Sequence, residues 1–162
     1  DTLQCAIMLA KWPRFAWEVE RRAAIGRRYT RCLTAAGALP QETAAVGATS
    51  VVPPLALLSL RPSRTSVFAQ YTVMVRDREA VRARLTAAGV PTAVHYPLPV
   101  NEQPAYVAGD TAPTPVAAWM ARHVMSLPMG PDLAVADQDH VVHSLLEACG
   151  IDGGSARRSL AA

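Results

Sequence analysis

Residues 1–37 carry one helical pattern of apolar positions that is broken by a single proline. Asp1 and Gln4 have the spacing of a capping box at the first turn. Pro13 removes a backbone donor and crowds the preceding turn, so it predicts a kink. The pattern resumes beyond Pro13 and stops near Gly37, a residue type that commonly ends helices. A bent helix of about 35 residues is too long to be typical of a small free-standing domain.

The strand patterns in the rest of the chain are short. Residues 67–75 combine β-branched and aromatic side chains and give the strongest strand prediction. Weaker strand patterns lie at residues 55–60, 92–96 and 126–129. Pro128 has no backbone N–H, so the last of these is predicted to be an edge strand. We expect a small antiparallel sheet built on residues 67–75 and 92–96.

Three further helices are predicted from their caps and apolar spacing. They start near Asp77, at Thr114 followed by Pro115, and near Asp137. The order of strands and helices predicts a two-layer α+β domain with these helices on one face of the sheet. The predicted organisation is an interdomain helix, a small C-terminal α+β domain and a disordered tail, at residues 1–37, 38–150 and 151–162.

Composition supports one globular domain. The 162 residues are 51% hydrophobic and 18% charged, and no apolar run approaches the roughly 18 residues of a membrane span. The net charge is +3 and the pI is about 9.0. Basic residues concentrate on one predicted helix, at Arg21, Arg22, Arg27, Arg28 and Arg31. We interpret them as a solvated helix face; a nucleic-acid patch is the weaker alternative.

Cysteine and histidine spacing argues against a disulfide framework and a metal site. The three cysteines are far apart and form no C-x-x-C motif, which makes the cytoplasm the expected compartment. Cys5 and Cys149 lie on apolar stripes and are predicted to be small core residues. His140 and His143 are three residues apart on a predicted helix, and we expect two solvated side chains there, with no bound metal.

One loop contains the residues most suggestive of chemistry. His95 and Tyr96 follow a predicted strand and are succeeded by Pro97 and Pro99. Two interpretations are equally open on physical grounds. The prolines could hold buried, hydrogen-bonded aromatic rings, or they could present two polar rings rigidly to a ligand. No glycine-rich phosphate loop, serine elbow or carboxylate pair accompanies the loop.

Several segments, in order, resemble the DegT/StrS family of sugar aminotransferases, which are PLP enzymes with the aspartate aminotransferase fold (fold type I). These segments are DTLQCAI at residues 1–7, SVFAQYT at 66–72, HYP at 95–97 with QPAY at 103–106, and SLPM at 126–129. The resemblance extends over residues 1–150. It implies that this chain is the small C-terminal domain with its interdomain helix.

The same resemblance places the catalytic and cofactor residues outside this chain. The family's Schiff-base lysine, its pyridine-nitrogen acid and its phosphate-binding residues belong to an upstream large domain. Lys11 is the single lysine here, and its context does not match the lysine motif. The resemblance therefore implies no catalytic, cofactor-binding or metal-binding residue in this chain, although pyridoxal 5′-phosphate serves the larger enzyme.

Substrate contacts are implied for the His95 loop, through hydrogen bonding and stacking. The implied substrate-binding residues are His95, Tyr96, Asn101, Gln103 and Tyr106. Asn101 stands where the family often has histidine, and Ala118 stands where it often has glutamate. The implied reaction moves an amino group, usually from glutamate, to a nucleotide-linked sugar in a homodimer.

The resemblance favours one substrate over others. The FAQY sequence at residues 68–71 is similar to a subgroup that aminates a 3-keto UDP-N-acetyl-hexuronate for surface polysaccharide and lipopolysaccharide. A 4-keto nucleotide sugar is the alternative substrate. A non-catalytic dimerisation or binding domain is the alternative function, since this chain has no matching lysine.

Overall fold

The computed structural model describes residues 1–40, 53–58, 60, 62–106, 109 and 112–151. The helices and strands, in chain order, are α1 (Thr2–Lys11), a 3-10 turn (Trp12–Arg14), α2 (Phe15–Ala35), β1 (Leu39–Pro40), β2 (Leu55–Leu57), β3 (Tyr71–Val75), α3 (Arg78–Ala87), a second 3-10 turn (Val100–Glu102), α4 (Pro115–His123), β4 (Val124–Leu127) and α5 (Val135–Ala148). The predicted tail from residue 152 onward lies outside the described residues. None of the described helices is long and apolar enough to cross a membrane.

The long N-terminal helix and its kink are confirmed. The backbone N–H of Gln4 donates to Asp1 Oδ1 at 3.1 Å, so Asp1 caps α1. A 3-10 turn containing Pro13 separates α1 from α2, because proline breaks the regular helical hydrogen bonding. α2 ends just before Gly37, whose φ of 92° is the left-handed conformation that glycine adopts at helix ends.

Within the described residues the sheet has four strands in the order β1-β2-β3-β4. β2, β3 and β4 pair antiparallel, with Leu57 opposite Val73 and Tyr71 opposite Leu127. The two-residue β1 adds to β2 in parallel. The predicted small antiparallel sheet is therefore confirmed, and the two-residue parallel strand β1 extends it at the β2 edge.

Two strand predictions differ from the structure in detail. The strand predicted at 67–75 begins at Tyr71, because Phe68 has a φ of 47° and turns the chain out of extended geometry. The strand predicted at 92–96 is wrong: there, Ala93 makes an isolated bridge to Ser126. Pro91 and Pro97 flank this segment, and neither can donate to a strand ladder.

Helices cover both faces of the sheet, because neighbouring strand residues point to opposite sides. Leu57, Val73 and Met125 lie in the main core with the buried residues of α2, α3 and α5. Met74 packs instead with Trp119 of α4, on the opposite face. The prediction that the later helices share one face is therefore wrong for α4. The predicted caps are closely matched: Asp77 caps α3, α4 begins at Pro115, and α5 begins two residues before Asp137.

The arginines of α2 are less solvated than predicted. Arg21 donates to the Pro131 carbonyl at 3.3 Å. Arg28 forms an ion pair with Asp139 of α5, with an N···O distance of 2.5 Å. Arg27 and Arg31 are exposed, as expected for a solvated face. Part of the cluster therefore fastens α2 to the C-terminal half of the chain, since arginine forms directed hydrogen bonds that a solvated charge does not need.

Two predictions about single residues are corrected. Cys5 is exposed because no described residue covers α1, whereas Cys149 is partly buried against the core. His140 is exposed and contacts the Ala88 carbonyl at 2.9 Å. The Nε2 atom of His143 is buried and has no hydrogen-bond partner, so this ring is not solvated as predicted.

Candidate functional site

The loop that carries the predicted site residues is fastened to the end of β4. Ala93 and Ser126 exchange both backbone hydrogen bonds, at 3.2 and 2.8 Å. His95 and Tyr96 follow, joined by a cis peptide bond, with their rings edge to face at a centroid distance of 5.9 Å. The bridge fixes the point at which the loop leaves the sheet. It therefore determines where the His95 and Tyr96 rings lie relative to the sheet.

Two predicted site residues hold the loop together. Thr114 Oγ1 donates to Asn101 Oδ1 at 2.8 Å, which ties the loop to the start of α4. Gln103 Nε2 donates to the Leu98 carbonyl at 3.2 Å. Both amide side chains therefore stabilise the loop conformation through local side-chain to backbone and side-chain to side-chain bonds.

The aromatic rings of the loop are presented to solvent. Tyr96 is 72% exposed and Tyr106 is 56% exposed. The interpretation of the loop as a turn around buried, hydrogen-bonded aromatics is therefore wrong. Exposed tyrosines on a loop fixed by prolines have the properties of a contact surface for a ligand or another chain.

A cleft of about 270 Å³ lies where this loop meets the sheet. It is lined by Ala69, Gln70, Pro91, Thr92, Ala93, His95, Ser126, Leu127, Pro128 and Met129. Of the five predicted site residues, the structure brings only His95 to this cleft. Tyr96, Asn101, Gln103 and Tyr106 belong to the loop outside it.

Sequence reasoning missed Gln70 and Ser126, which line the cleft, and Thr72, which lies beside Ser126. Gln70 and Thr72 alternate with the buried residues Tyr71 and Val73, so a polar side chain occurs at every second position of that stretch. Such alternation indicates one face of a strand that is not packed on an apolar layer. That signal was present in the sequence and pointed to this end of the sheet.

The turn before β3 is fixed by α2. Nη1 of Arg22 donates to the carbonyls of Phe68 and Ala69, both at 3.3 Å. The Phe68 ring lies over Gly26, where an added Cβ would be 2.7 Å from the ring.

Ala69 is shared between the cleft and an apolar groove on the α2 side. This groove is lined by Phe15, Glu18, Val19, Arg22, Val67 and Ala69.

Two buried tyrosines support the cleft from behind. The Tyr29 hydroxyl donates to the carbonyl of Pro128 at 3.0 Å, and the Tyr71 hydroxyl lies 2.8 Å from Thr30 Oγ1. Burial raises the pKa of Tyr29 above its usual range and raises the pKa of Tyr71 to about 12. Both side chains are therefore neutral at physiological pH and act as structural supports of the cleft wall.

A family model described as the DegT/DnrJ/EryC1/StrS aminotransferase family matches residues 1–146. The chain belongs to this family. The family resemblance seen in the sequence is thus confirmed, and it extends over all the described helices except the last residues of α5.

The curated relatives of this DegT-family chain include proteins named as sugar-nucleotide aminotransferases. One is the UDP-2-acetamido-2-deoxy-3-oxo-D-glucuronate aminotransferase of Pseudomonas aeruginosa, 43% identical over 136 residues, or 84% of this chain and 33% of that protein. Another is the dTDP-3-amino-3,4,6-trideoxy-α-D-glucose transaminase of Streptomyces venezuelae, 36% identical over 99 residues, or 59% of this chain and 26% of that protein. The chain spans about a third of the length of the curated relatives it matches.

Solved structures of the family share the fold. A DegT/DnrJ/EryC1/StrS aminotransferase from Brucella abortus superposes with a TM-score of 0.73 at 28% identity, and covers 93% of this chain and 36% of its own. DesV from S. venezuelae, solved with a ketimine intermediate, gives 0.72 at 28% identity over 90% of this chain and 36% of its own. These neighbours confirm the fold of a fold-type I aminotransferase, of which this DegT-family chain corresponds to a part.

The described part of this DegT-family chain does not fit a PLP site. Lys11 is exposed at the end of α1 and does not line the cleft. The cleft also offers no acidic side chain for a pyridine nitrogen. Among the described residues, no group of histidine, cysteine, aspartate or glutamate side chains could hold a metal ion.

We therefore expect no covalent PLP adduct on the isolated chain. After incubation with PLP and borohydride reduction, no stoichiometric adduct should be found on Lys11, because the described residues form no cofactor pocket around this amine. Peptide mass mapping is the measurement. A stoichiometric adduct on Lys11 together with amino-group turnover would contradict the expectation.

Proposed function

We propose that this chain is the nucleotide-sugar-facing C-terminal part of an aminotransferase. The proposed substrate is a 3-keto UDP-N-acetyl-hexuronate, the proposed donor is glutamate, and the product serves surface polysaccharide or lipopolysaccharide synthesis in the cytoplasm. The observation that carries the proposal is the 43% identity, over 84% of this chain, to the Pseudomonas enzyme named for a UDP-linked 3-oxo-glucuronate.

The geometry of the His95 loop supports this role. His95 stands at the cleft, and Tyr96 and Tyr106 lie exposed on the same loop. An imidazole and two phenol rings can hydrogen-bond to sugar hydroxyls and stack on flat rings. We propose that these residues bind and orient the substrate, with Asn101 and Gln103 acting through the loop that they hold in shape.

The cofactor of the assembled enzyme is proposed to be PLP, held outside the described residues of this chain. PLP supplies the electron sink for amino transfer when it is bound. The chain's own contribution is binding and orientation of the nucleotide sugar. The cleft contains polar groups and no lysine, which is consistent with a role in binding the nucleotide sugar.

A chimera tests the proposed function. This chain replaces the matched third of the Pseudomonas relative, and amino transfer from glutamate to 3-keto and 4-keto UDP-sugars is followed by mass spectrometry of the product. Activity with the 3-keto hexuronate is expected, and His95→Ala in the chimera should lower it about tenfold or more, the effect of one lost substrate hydrogen bond.

Each other outcome of the chimera assay is decisive as well. Activity confined to a 4-keto sugar would favour the alternative substrate. A folded chimera that is inactive with both sugars, beside an active unmodified relative, would contradict the aminotransferase proposal and favour a non-catalytic dimerisation or binding domain.

The proposed homodimer has a visible candidate surface. α1 buries none of its side chains against the described residues, and Trp12 stacks on Phe15 at a centroid distance of 5.4 Å. The exposed apolar side chains near the N-terminus are Leu3, Ile7, Met8, Leu9, Trp12, Phe15 and Trp17. Contiguous apolar surface of this kind usually marks an interface with another domain or subunit.

We expect the isolated chain to self-associate through this surface. Light scattering at tens of micromolar should give a mass above the monomer, and the double change Trp12→Glu, Phe15→Glu should return it toward the monomer. The matched control is Val116→Glu, Val135→Glu, which charges two exposed apolar positions elsewhere. A monodisperse monomer for the unmodified chain would show that this surface does not drive association.

A further inference from the structure

The described residues cover only part of the second face of the sheet. α4 packs on Ala56, Met74 and Val124, towards one end of β3 and β4. Ser126 lies on the same face towards the other end, where it lines the cleft, and Thr72 is its cross-strand neighbour. The cleft therefore has a polar floor supplied by the sheet itself.

A chain of hydrogen bonds crosses this floor. Thr72 Oγ1 lies 3.1 Å from Ser126 Oγ, and Ser126 Oγ donates to Gln70 Oε1 at 3.5 Å. Ser126 is only 5% exposed, so its hydroxyl is held in one place. This contact places Gln70 Oε1 towards Ser126. Among the described residues the Gln70 Nε2 amide group has no hydrogen-bond partner, so its N–H donors face solvent and are available to a ligand.

The lining of the cleft selects against charge. No aspartate, glutamate, lysine or arginine is among its lining residues. The nearby Arg22 guanidinium already donates to the carbonyls of Phe68 and Ala69. A diphosphate bound here would lack the cationic partners that phosphate groups require. The cleft is thus suited to an uncharged polar group.

The size of the cleft limits the ligand further. At about 270 Å³ it is below the range typical for whole small-molecule sites, so it has room for one ring of a larger ligand. An amide side chain pairs best with a group that has a carbonyl and an N–H side by side. Gln70 Nε2 can donate to that carbonyl while Oε1 accepts from the N–H.

We propose that this cleft binds an amide-type edge of the nucleotide sugar, recognised by Gln70 with Ser126 beneath it. The inference rests on the proposed function and specifies which part of the substrate enters the cleft. The imide edge of the pyrimidine base carries a carbonyl and an N–H side by side, so it can make both hydrogen bonds to Gln70. The acetamido group of the sugar is a trans amide whose carbonyl and N–H point in opposite directions, so it can make only one of them. The diphosphate stays outside the cleft.

The test compares four ligands on the whole 162-residue chain by isothermal titration at millimolar concentrations. The ligands are UDP-N-acetylglucosamine, UDP-glucose, N-acetylglucosamine 1-phosphate and CDP-glucose. Gln70→Glu keeps the shape of the side chain and removes its N–H donor, so it should weaken the recognised ligands about tenfold. Gln4→Glu is the matched control, because Gln4 is exposed on α1 away from the cleft, and it should leave affinity unchanged.

The ligands that lose affinity in Gln70→Glu identify which part of the nucleotide sugar supplies the amide-type edge. If UDP-glucose binds like UDP-N-acetylglucosamine, loses affinity in Gln70→Glu, and CDP-glucose binds weakly, the base enters the cleft. If losses are confined to the two acetamido ligands, the sugar enters it.

Two results would overturn the inference. One is binding that Gln70→Glu does not change for any ligand, with a melting curve showing that this variant is folded. The other is no binding of any ligand to the unmodified chain. Either result leaves the proposed function to be judged by amino transfer in the chimera, so the two proposals can fail separately.

Discussion

We expect Gly26→Val to lower the free energy of unfolding by about 3 kcal/mol, at the upper end of the usual cost of overpacking. A Cβ at this position would lie 2.7 to 2.8 Å from three carbon atoms of the Phe68 ring. The ring cannot withdraw easily, because the Phe68 backbone N–H donates to Ser66 Oγ and its carbonyl accepts from Arg22. Valine adds two methyl groups to a contact that is already too close for one.

Urea unfolding followed by circular dichroism measures this effect. Gly130→Val is the matched control, because an added Cβ there meets nothing within 4 Å, and its effect should stay within about 0.5 kcal/mol. Equal unfolding midpoints for the two variants would mean that the turn at Phe68 moves freely, contrary to its hydrogen bonds.

Alkaline pH is expected to destabilise the fold steeply. Burial raises the pKa of Cys149 from 9.0 to about 12, raises the pKa of Tyr71 from 10.0 to about 12, and raises that of Tyr29 further. The unfolded chain releases these protons at the ordinary values while the folded chain retains them, so rising pH favours unfolding. Stability is fully present below pH 9 and declines from there, with a steeper loss from pH 10 to about 12.

The expected slope is about 1.4 kcal/mol per pH unit for each group that is protonated in the folded state and ionised in the unfolded state. Urea midpoints measured at a series of pH values give this slope. Tyr71→Phe should reduce the slope between pH 10 and 12 because one buried phenol is gone, although it also loses the contact with Thr30. A midpoint that is constant across this range would contradict the assigned burial.

The helices were predictable because their signals are local. Asp77 caps its own helix, and Pro13 acts on the turn in which it stands. The sheet was harder because pairing depends on distant residues. The left-handed Phe68 shortens β3, and its carbonyl accepts a hydrogen bond from Arg22, which lies 46 residues away. No pattern within residues 66–71 contains that information.

The candidate site was partly predictable for the same reason. His95 is conspicuous between a strand pattern and two prolines, and the structure does place it at the cleft. Gln70 and Ser126 are 56 residues apart in the chain and become neighbours through the antiparallel pairing of β3 with β4. Tyr96, Asn101, Gln103 and Tyr106 remain predictions as substrate contacts.

Ala69 separates the cleft from the apolar groove, and this has a thermodynamic consequence. One side of it borders the cleft, and the other borders the groove along the first turns of α2. A molecule that filled the groove and shifted Ala69 would change the shape of the cleft. Any resulting change in the affinity of the cleft for its ligand would be matched by an equal change in the affinity of the groove when that ligand binds, because coupling between two sites is reciprocal.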